Sequence, residues 1–472
     1  MRQFYCFIQQ WLLKKSICFL LVILQILPLN AFALTPYSTR ELEELEKEFI
    51  QLINQSESIE RNPLVNQYIN HLGRRLGQSA HIQSPLFFIV KSSEINAFAG
   101  PGGYIGINTQ LILASENESE LAAVMAHELA HVRLHHLYSM IEHQKQMRIP
   151  MLASLLASVA LGVLNPTLGT GALMASLSGF SQDSINFTRA KEKEADRIGI
   201  DMLIKSGLDP RGMVGFFKKM QQNSRYYYTA NTPAILRTHP LDEDRISEAE
   251  NRSLHLVKKQ YPDNLDYHLF KEVIRVSVSN DKRQILEFYQ RQCHKKQNDA
   301  PCQYGHALAL ITVDQYGQAE KLLIPLLEKD RDNLFYQITM AQAQTGNKEH
   351  EAALNRLSSL QTNFPENYAA LMAHAQGLLA AGKAELAASV LLKGSRIFRD
   401  DLPLCEELAQ AQSAANQKSY AYFTEARCQL LQGRMRDAMR KLKHAKTLVK
   451  NDKYLLARIE AMIEEVKFLS EK

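Results

Sequence analysis

His127-Glu128-Leu129-Ala130-His131 decides how this chain is read. On a helix, histidines four residues apart stand one turn apart on the same face, where both imidazoles can hold one metal ion. Glu128, next to the first of them, lies where it can take a proton from a water at that metal. Three fixed residues recur by chance in roughly a few per cent of chains this long, so the motif asks for a third ligand elsewhere.

That ligand is sought in Glu192-Lys193-Glu194-Ala195-Asp196, inside a helix read from Thr188 to Ser206 and closed by Gly207 and Pro210. Glu192 and Asp196 share a face one turn apart. Glu192 can supply a carboxylate ligand, and Asp196 can accept a hydrogen bond from the far nitrogen of His127, fixing its tautomer. Glu194 has the right chemistry, but its angular position turns it away from that face. His135 and His136 extend the metal helix and are not taken as ligands, His135 being read as structural or solvent-facing.

The 472 residues carry a net charge of +5, with 46% hydrophobic and 22% charged residues, an ordinary globular balance. The first 33 residues differ. Arg2, Lys14 and Lys15 precede the apolar run Ile17–Leu24, which continues through Ile26-Leu27, and Ala31 and Ala33 flank Phe32. This pattern predicts a secretory signal peptide cut after Ala33 and a secreted mature chain of charge near +2. So mild a balance, with no basic stripe interleaved with aromatics, argues against nucleic acid as a partner.

Between the leader and the motif, apolar spacing predicts helices from Ser38 to about Gln55 and after Pro63. Leu86–Val90 and Tyr104–Asn108 read as strands, with Asn96 to Gly103 as the turn between them. A capping-type start near Asn117 to Glu120 opens the metal helix. Ile149 to Gln182 holds no charged residue but is broken at Asn165-Pro166 and Gly169 to Gly171. Two readings stand for it: helices packed beside the site, or a flap in peripheral contact with a membrane or partner. Met213 to Met220 and Asp242 to about Val257 read as helices, and Gln221 to Thr232 as a loop. Lys258 to Asn264 is the expected linker, dividing a metallopeptidase domain at 34–258 from a repeat domain at 265–472.

Beyond Leu265 the β signal vanishes and paired helices recur. Turn markers at Gly317, Gly346, Gly382, Asn416 and Gly433 are spaced 29, 36, 34 and 17 residues. This approaches the 34-residue period of tetratricopeptide repeats, whose solenoids present a binding surface. Four cysteines remain after the leader. Cys293 and Cys302 bracket one helix turn and Cys405 and Cys428 another, so these pairs face each other across antiparallel helices and are the expected disulfides.

His127-Glu-Leu-Ala-His131, Glu192-x-x-Ala-Asp196 and Asn96-Ala-Phe-Ala-x-Pro-Gly-Gly103 together resemble the gluzincin zinc peptidases, the family that includes HtpX and the CAAX prenyl endopeptidases. With the leader and the repeats, the chain is similar to the periplasmic BepA (YfgC) type of that family. The resemblance implies a mostly α fold: a gluzincin zinc-peptidase domain with a small edge-exposed β-sheet, then an all-α tetratricopeptide-like solenoid. It implies one Zn²⁺ per chain on His127, His131 and Glu192, Asp196 behind His127, and Glu128 as general base. Tyr104, Ile105, Gly106, Ile107 and Asn108 are expected to hold an extended substrate by backbone pairing. In Arg237-Thr238-His239-Pro240, the bland reading is a polar turn before a helix; by resemblance His239 caps the zinc and keeps the enzyme latent, or donates to the oxyanion. The implied partners are unfolded or stalled outer-membrane proteins and, through the repeats, their assembly machinery.

Two further readings stay open at this point. The chain can act mainly as an assembly chaperone or adaptor, with proteolysis secondary, although an adaptor has no need of Glu128. An integral membrane protease requires the stretch after Ile149 to span a bilayer, against which its breaks argue.

Overall fold

The helix that carries the motif runs from Glu118 to Arg133, and a small sheet and a set of helices bury it on every side. We describe the fold from a computed structural model that places residues 39–82, 85–137, 139, 182–226, 233–254, 260–295 and 299–470. The expected leader and almost all of 149–182 lie outside these residues. Among the described residues, no helix is long and apolar enough to cross a membrane.

The chain opens with helices α1 (Thr39–Gln55) and α2 (Pro63–Ser79). Strands β1 (Leu86–Val90), β2 (Ala97–Ala99) and β3 (Tyr104–Asn108) follow, then α3 (Thr109–Ala114) and the motif helix, α4 (Glu118–Arg133). Next come α5 (Gln182–Lys205), α6 (Arg211–Tyr226), the single turn α7 (Ala234–Thr238) and α8 (Glu243–Leu254). The short α7 stands where the sequence reading had a turn.

Asn96 to Gly103 is not wholly a turn. Its first part forms β2, a strand of three residues too short and too rich in alanine to register as one. The sheet order is β1-β3-β2, with β1 parallel and β2 antiparallel to β3. This corrects the assignment of Tyr104–Asn108 to substrate pairing. β3 is the central strand, its backbone engaged by β1 on one side and β2 on the other, and it has no edge to offer. The outer edge of β1 is also covered, since Glu60 N–H donates to the Ile89 carbonyl at 2.8 Å and Lys91 N–H to that of Ser58 at 2.7 Å. Among the described residues, no strand pairs with the outer edge of β2. Its bonded pairs begin at Asn96/Asn108 and end at Gly100/Tyr104, so alternation turns the amides and carbonyls of Ala97 and Ala99 outward.

α4 starts where its sequence says. The Asn117 side chain accepts the Glu120 N–H at 3.0 Å, and the Glu120 carboxylate accepts the Glu116 N–H at 2.7 Å. Acids in the first turn and His131 and Arg133 in the last suit the helix dipole. Leu121 to Ala130 are all buried, so this helix has no solvent face.

Helix pairs occupy the rest of the chain: α9 (Leu265–Ser277), α10 (Lys282–Lys295), α11 (Ala300–Thr312), α12 (Tyr316–Lys329), α13 (Leu334–Gly346) and α14 (His350–Asn363). They continue as α15 (Tyr368–Ala380), α16 (Ala384–Ile397), α17 (Leu402–Ala414), α18 (Lys418–Leu431), α19 (Met435–Leu448) and α20 (Lys453–Ser470). Turns inside successive pairs are left-handed at Asp314, Lys348, Gly382 and Asn416, each 34 residues after the last, and the connection from α18 to α19 is left-handed at Gly433, 17 further on. The period is thus more regular than the glycine markers suggest, because Asp and Lys fill two of the left-handed positions. Gly317 itself lies in the first turn of α12. Both disulfides form as expected, Cys293–Cys302 between α10 and α11 and Cys405–Cys428 between α17 and α18.

From Glu43 onward the described chain is one compact unit. A single apolar core runs from Leu64 through the metal helix to Ala373. Tyr68 on α2 stacks on Phe270 of α9 with ring centroids 4.5 Å apart, and Tyr267 donates its hydroxyl to the Ser115 carbonyl at 2.9 Å. Glu118, in the first turn of α4, accepts from Tyr68 at 2.6 Å and from Asn264 at 2.7 Å.

Candidate metal centre

Four side chains from three parts of the chain converge on one point. His127 and His131 come from α4, Glu192 from α5, and His239 from the residue after α7; their ligand atoms all lie within 4.8 Å of one another. α5 reaches the site because Gly199 and Ala195 let it lie close to α4. A Cβ on Gly199 would stand 3.3 Å from the His127 amide nitrogen.

The separations match one metal ion. His127 Nε2 lies 3.0 Å from His131 Nε2, 3.3 Å from His239 Nδ1 and 3.3 Å from Glu192 Oε2. Glu192 Oε1 is 3.2 Å from His239 Nδ1 and 3.5 Å from His131 Nε2. Ligands at about 2.0–2.1 Å from a tetrahedral centre stand about 3.3 Å apart. Three imidazoles and a carboxylate make a donor set suited to Zn²⁺. The residues fit the group.

The expected ligands therefore meet, and so does the expected support. His127 Nδ1 lies 2.9 Å from Asp196 Oδ1. Glu128 is 1% exposed, and its Oε1 lies 3.4 Å from His239 Nε2, so His239 faces the ligand cluster with one nitrogen and the expected base with the other. Glu194 is not in the cluster.

Charge is shared tightly here. Burial works against a charge on His127, but the hydrogen bonds to Asp196 and Glu192 outweigh it and pull its pKa up to about 10. Burial, helped by His127, drives His131 well below the usual imidazole value. Glu192 is buried yet held well below the usual carboxylate range by His239 and His127, and Asp196 is held down by His127 and Arg245.

Two residues escaped the sequence reading. Arg245, on α8 and 3% exposed, donates Nε and Nη2 to the two oxygens of Asp196 at 2.7 and 2.8 Å. Its Nη1 donates to the Pro240 carbonyl at 2.7 Å and lies 3.0 Å from Glu192 Oε2. One guanidinium thus holds a ligand, the residue behind another ligand, and the loop bearing His239. Only its place three residues after Asp242 in a predicted helix marked it. His136, set aside as a ligand, is 1% exposed and lies against His131 with Nδ1 to Nδ1 at 2.9 Å.

With this geometry in hand, comparison with protein families matches residues 63–253 to Peptidase family M48. The chain belongs to Peptidase family M48 and is a metalloendopeptidase. It is similar to the beta-barrel assembly-enhancing protease of Escherichia coli (strain K12), 33% identical over 90% of this chain and 87% of the relative. A putative beta-barrel assembly-enhancing protease of Vibrio cholerae is 37% identical over 61% of this chain and 60% of its own length. The mitochondrial metalloendopeptidase OMA1 of Danio rerio is 26% identical over 48% of this chain and 49% of its own.

Proposed function

We propose that this chain is a periplasmic zinc endopeptidase that degrades misfolded or stalled outer-membrane proteins and promotes assembly of the others. The donor set of His127, His131, Glu192 and His239 at tetrahedral separations, with Glu128 beside it, carries the reading. Its similarity over 90% of its length to a protease named for β-barrel assembly supports the substrate class. Residues 1–33 act as the signal peptide, 34–258 as the peptidase and 265–472 as the arm that binds the assembly machinery or the substrate.

His127, His131 and Glu192 would hold the zinc. A bound Zn²⁺ polarises the scissile carbonyl and acidifies a water. Glu128 accepts the proton of the attacking water and delivers it to the leaving amine. Asp196 keeps His127 in the tautomer that presents Nε2. An extended substrate pairs with the outer edge of β2 beside Ala99, which is only part-buried. Just ahead of that edge, Ile235 N–H of α7 donates to the Ile95 carbonyl at 3.1 Å. The turn that carries His239 is thereby fastened to the strand the substrate needs, and His239 would serve as a fourth ligand of a bound metal in place of water. The resting enzyme is latent.

Metal content by mass spectrometry beside casein cleavage tests this. One zinc per chain is expected, and His239→Ala should cleave faster, by ~10-fold if the capped state holds about nine molecules in ten. Slower cleavage with zinc retained makes His239 an oxyanion donor. A wild type without stoichiometric zinc sinks the enzymatic reading.

Loading should also depend on pH. His127 binds metal only as the neutral imidazole, while the carboxylates of Asp196 and Glu192 beside it favour its protonated form. Zinc affinity is therefore expected to rise with pH through neutrality, about tenfold per unit for each proton released. Calorimetry in buffers of different ionisation enthalpy counts the protons, and a buffer-independent heat would refute the assignment.

A further inference from the structure

The metal ligand His127 has a partner for its far nitrogen in Asp196, and the same question arises for His131. α4 ends at Arg133, and His135 adopts a left-handed backbone with φ of +51°. That turn folds the chain back so that His136 is buried beneath His131, its ring edge-on with centroids 4.8 Å apart. The Nδ1 atoms of the two rings are 2.9 Å apart. His136 Nε2 faces Glu194 Oε2 at 3.5 Å, and that carboxylate is half-exposed with Lys191 Nζ 3.6 Å away.

We propose that His136 is a positioning residue for the metal centre, accepting the Nδ1 proton of His131 so that His131 presents Nε2 to the metal. The proton arrangement is then forced. A His131 that binds through Nε2 carries its one proton on Nδ1, so His136 Nδ1 must be the acceptor. The proton of His136 then sits on Nε2, on the side of Glu194, whose negative charge favours it there. The series metal, His131, His136, Glu194 mirrors metal, His127, Asp196, but uses a neutral ring where the other uses a carboxylate. An imidazole oriented in this way is a better ligand, because its tautomer is chosen before the metal arrives. Glu194, discounted as a ligand for its angle, lies on the face of α5 that meets His136.

The inference rests on the zinc reading above, and the experiment separates the two. Zinc dissociation constants are measured by competition with a chromogenic chelator on the purified mature protein, with circular dichroism of each metal-free form as a check on folding. His136→Leu keeps bulk and removes the acceptor; it should weaken zinc about 10–100-fold. His136→Asn places an amide oxygen near the position of Nδ1 and should recover most of that loss, which a residue needed only for packing would not show. Glu194→Ala removes a half-exposed group without disturbing the core and should weaken zinc in the same direction, by less. Wild-type affinity in His136→Leu overturns the proposal, as does His136→Asn binding no better than His136→Leu. Should His136→Leu fail to fold, unchanged affinity in Glu194→Ala overturns it. A wild type that binds no stoichiometric zinc overturns the parent reading, and this one falls with it.

Discussion

Glu128→Gln is expected to abolish casein cleavage while leaving zinc bound at one per chain. The substitution keeps the shape of a side chain that is 1% exposed, so the packing around it survives. It removes the carboxylate that faces His239 Nε2 at 3.4 Å beside the ligand cluster. Loss of a positioned general base costs typically about 10²–10⁴ in turnover, the largest change in activity expected of any single substitution here. The double variant with His239→Ala makes the test sharper. If His239 is a lock, its removal cannot rescue an enzyme whose base is missing, and the double variant stays inactive. Cleavage by Glu128→Gln within threefold of wild type would show that another group moves the proton.

Arg245→Met is expected to have the largest effect on stability. The guanidinium neutralises Asp196 and Glu192 in a place where neither carboxylate meets water, with its flat face over the Phe217 ring at 5.1 Å. Methionine fills much of the space and takes away every donor. Breaking a buried ion pair from one side typically costs about 3–5 kcal/mol, since the partner charge remains buried. Denaturant titration of the zinc-loaded protein measures it, and Arg245→Lys should fall between, because an ammonium cannot bond both Asp196 oxygens in parallel. A loss below about 1 kcal/mol in Arg245→Met would mean that the metal ion itself balances these carboxylates.

The sequence disclosed the chemistry of this site far better than its scaffolding. His127, Glu128 and His131 are legible because helical spacing is a local rule, and Glu192 and Asp196 because the same rule holds within α5. Arg245 is 49 residues beyond Asp196, and nothing local ties them. His136 is hidden by the left-handed turn at His135, which breaks the helical register that would otherwise place it. β2 escaped because three residues, two of them alanine, have little strand signature, and with it went the sheet order that removes Tyr104–Asn108 from substrate pairing. The repeats were legible in period but not in register, since the residues at the left-handed turns are not all glycine. Both cysteine pairings followed from symmetry about a turn, which again is local.

The core that runs unbroken from Leu64 to Ala373 makes the two halves of this chain poor candidates for modular surgery. A truncation after residue 264 would strip α9 from α2 and α3, leaving the faces around Tyr68 and Leu72 greasy and wet, and would deprive the Ser115 carbonyl of Tyr267. Such a fragment should aggregate before it could report on peptide cleavage. The cut also falls at the root of the motif helix, where Asn264 donates to Glu118, one residue past the cap at Asn117. Whatever grips the repeats therefore holds the enzyme by its frame, as one holds a tool by the handle forged in one piece with the blade.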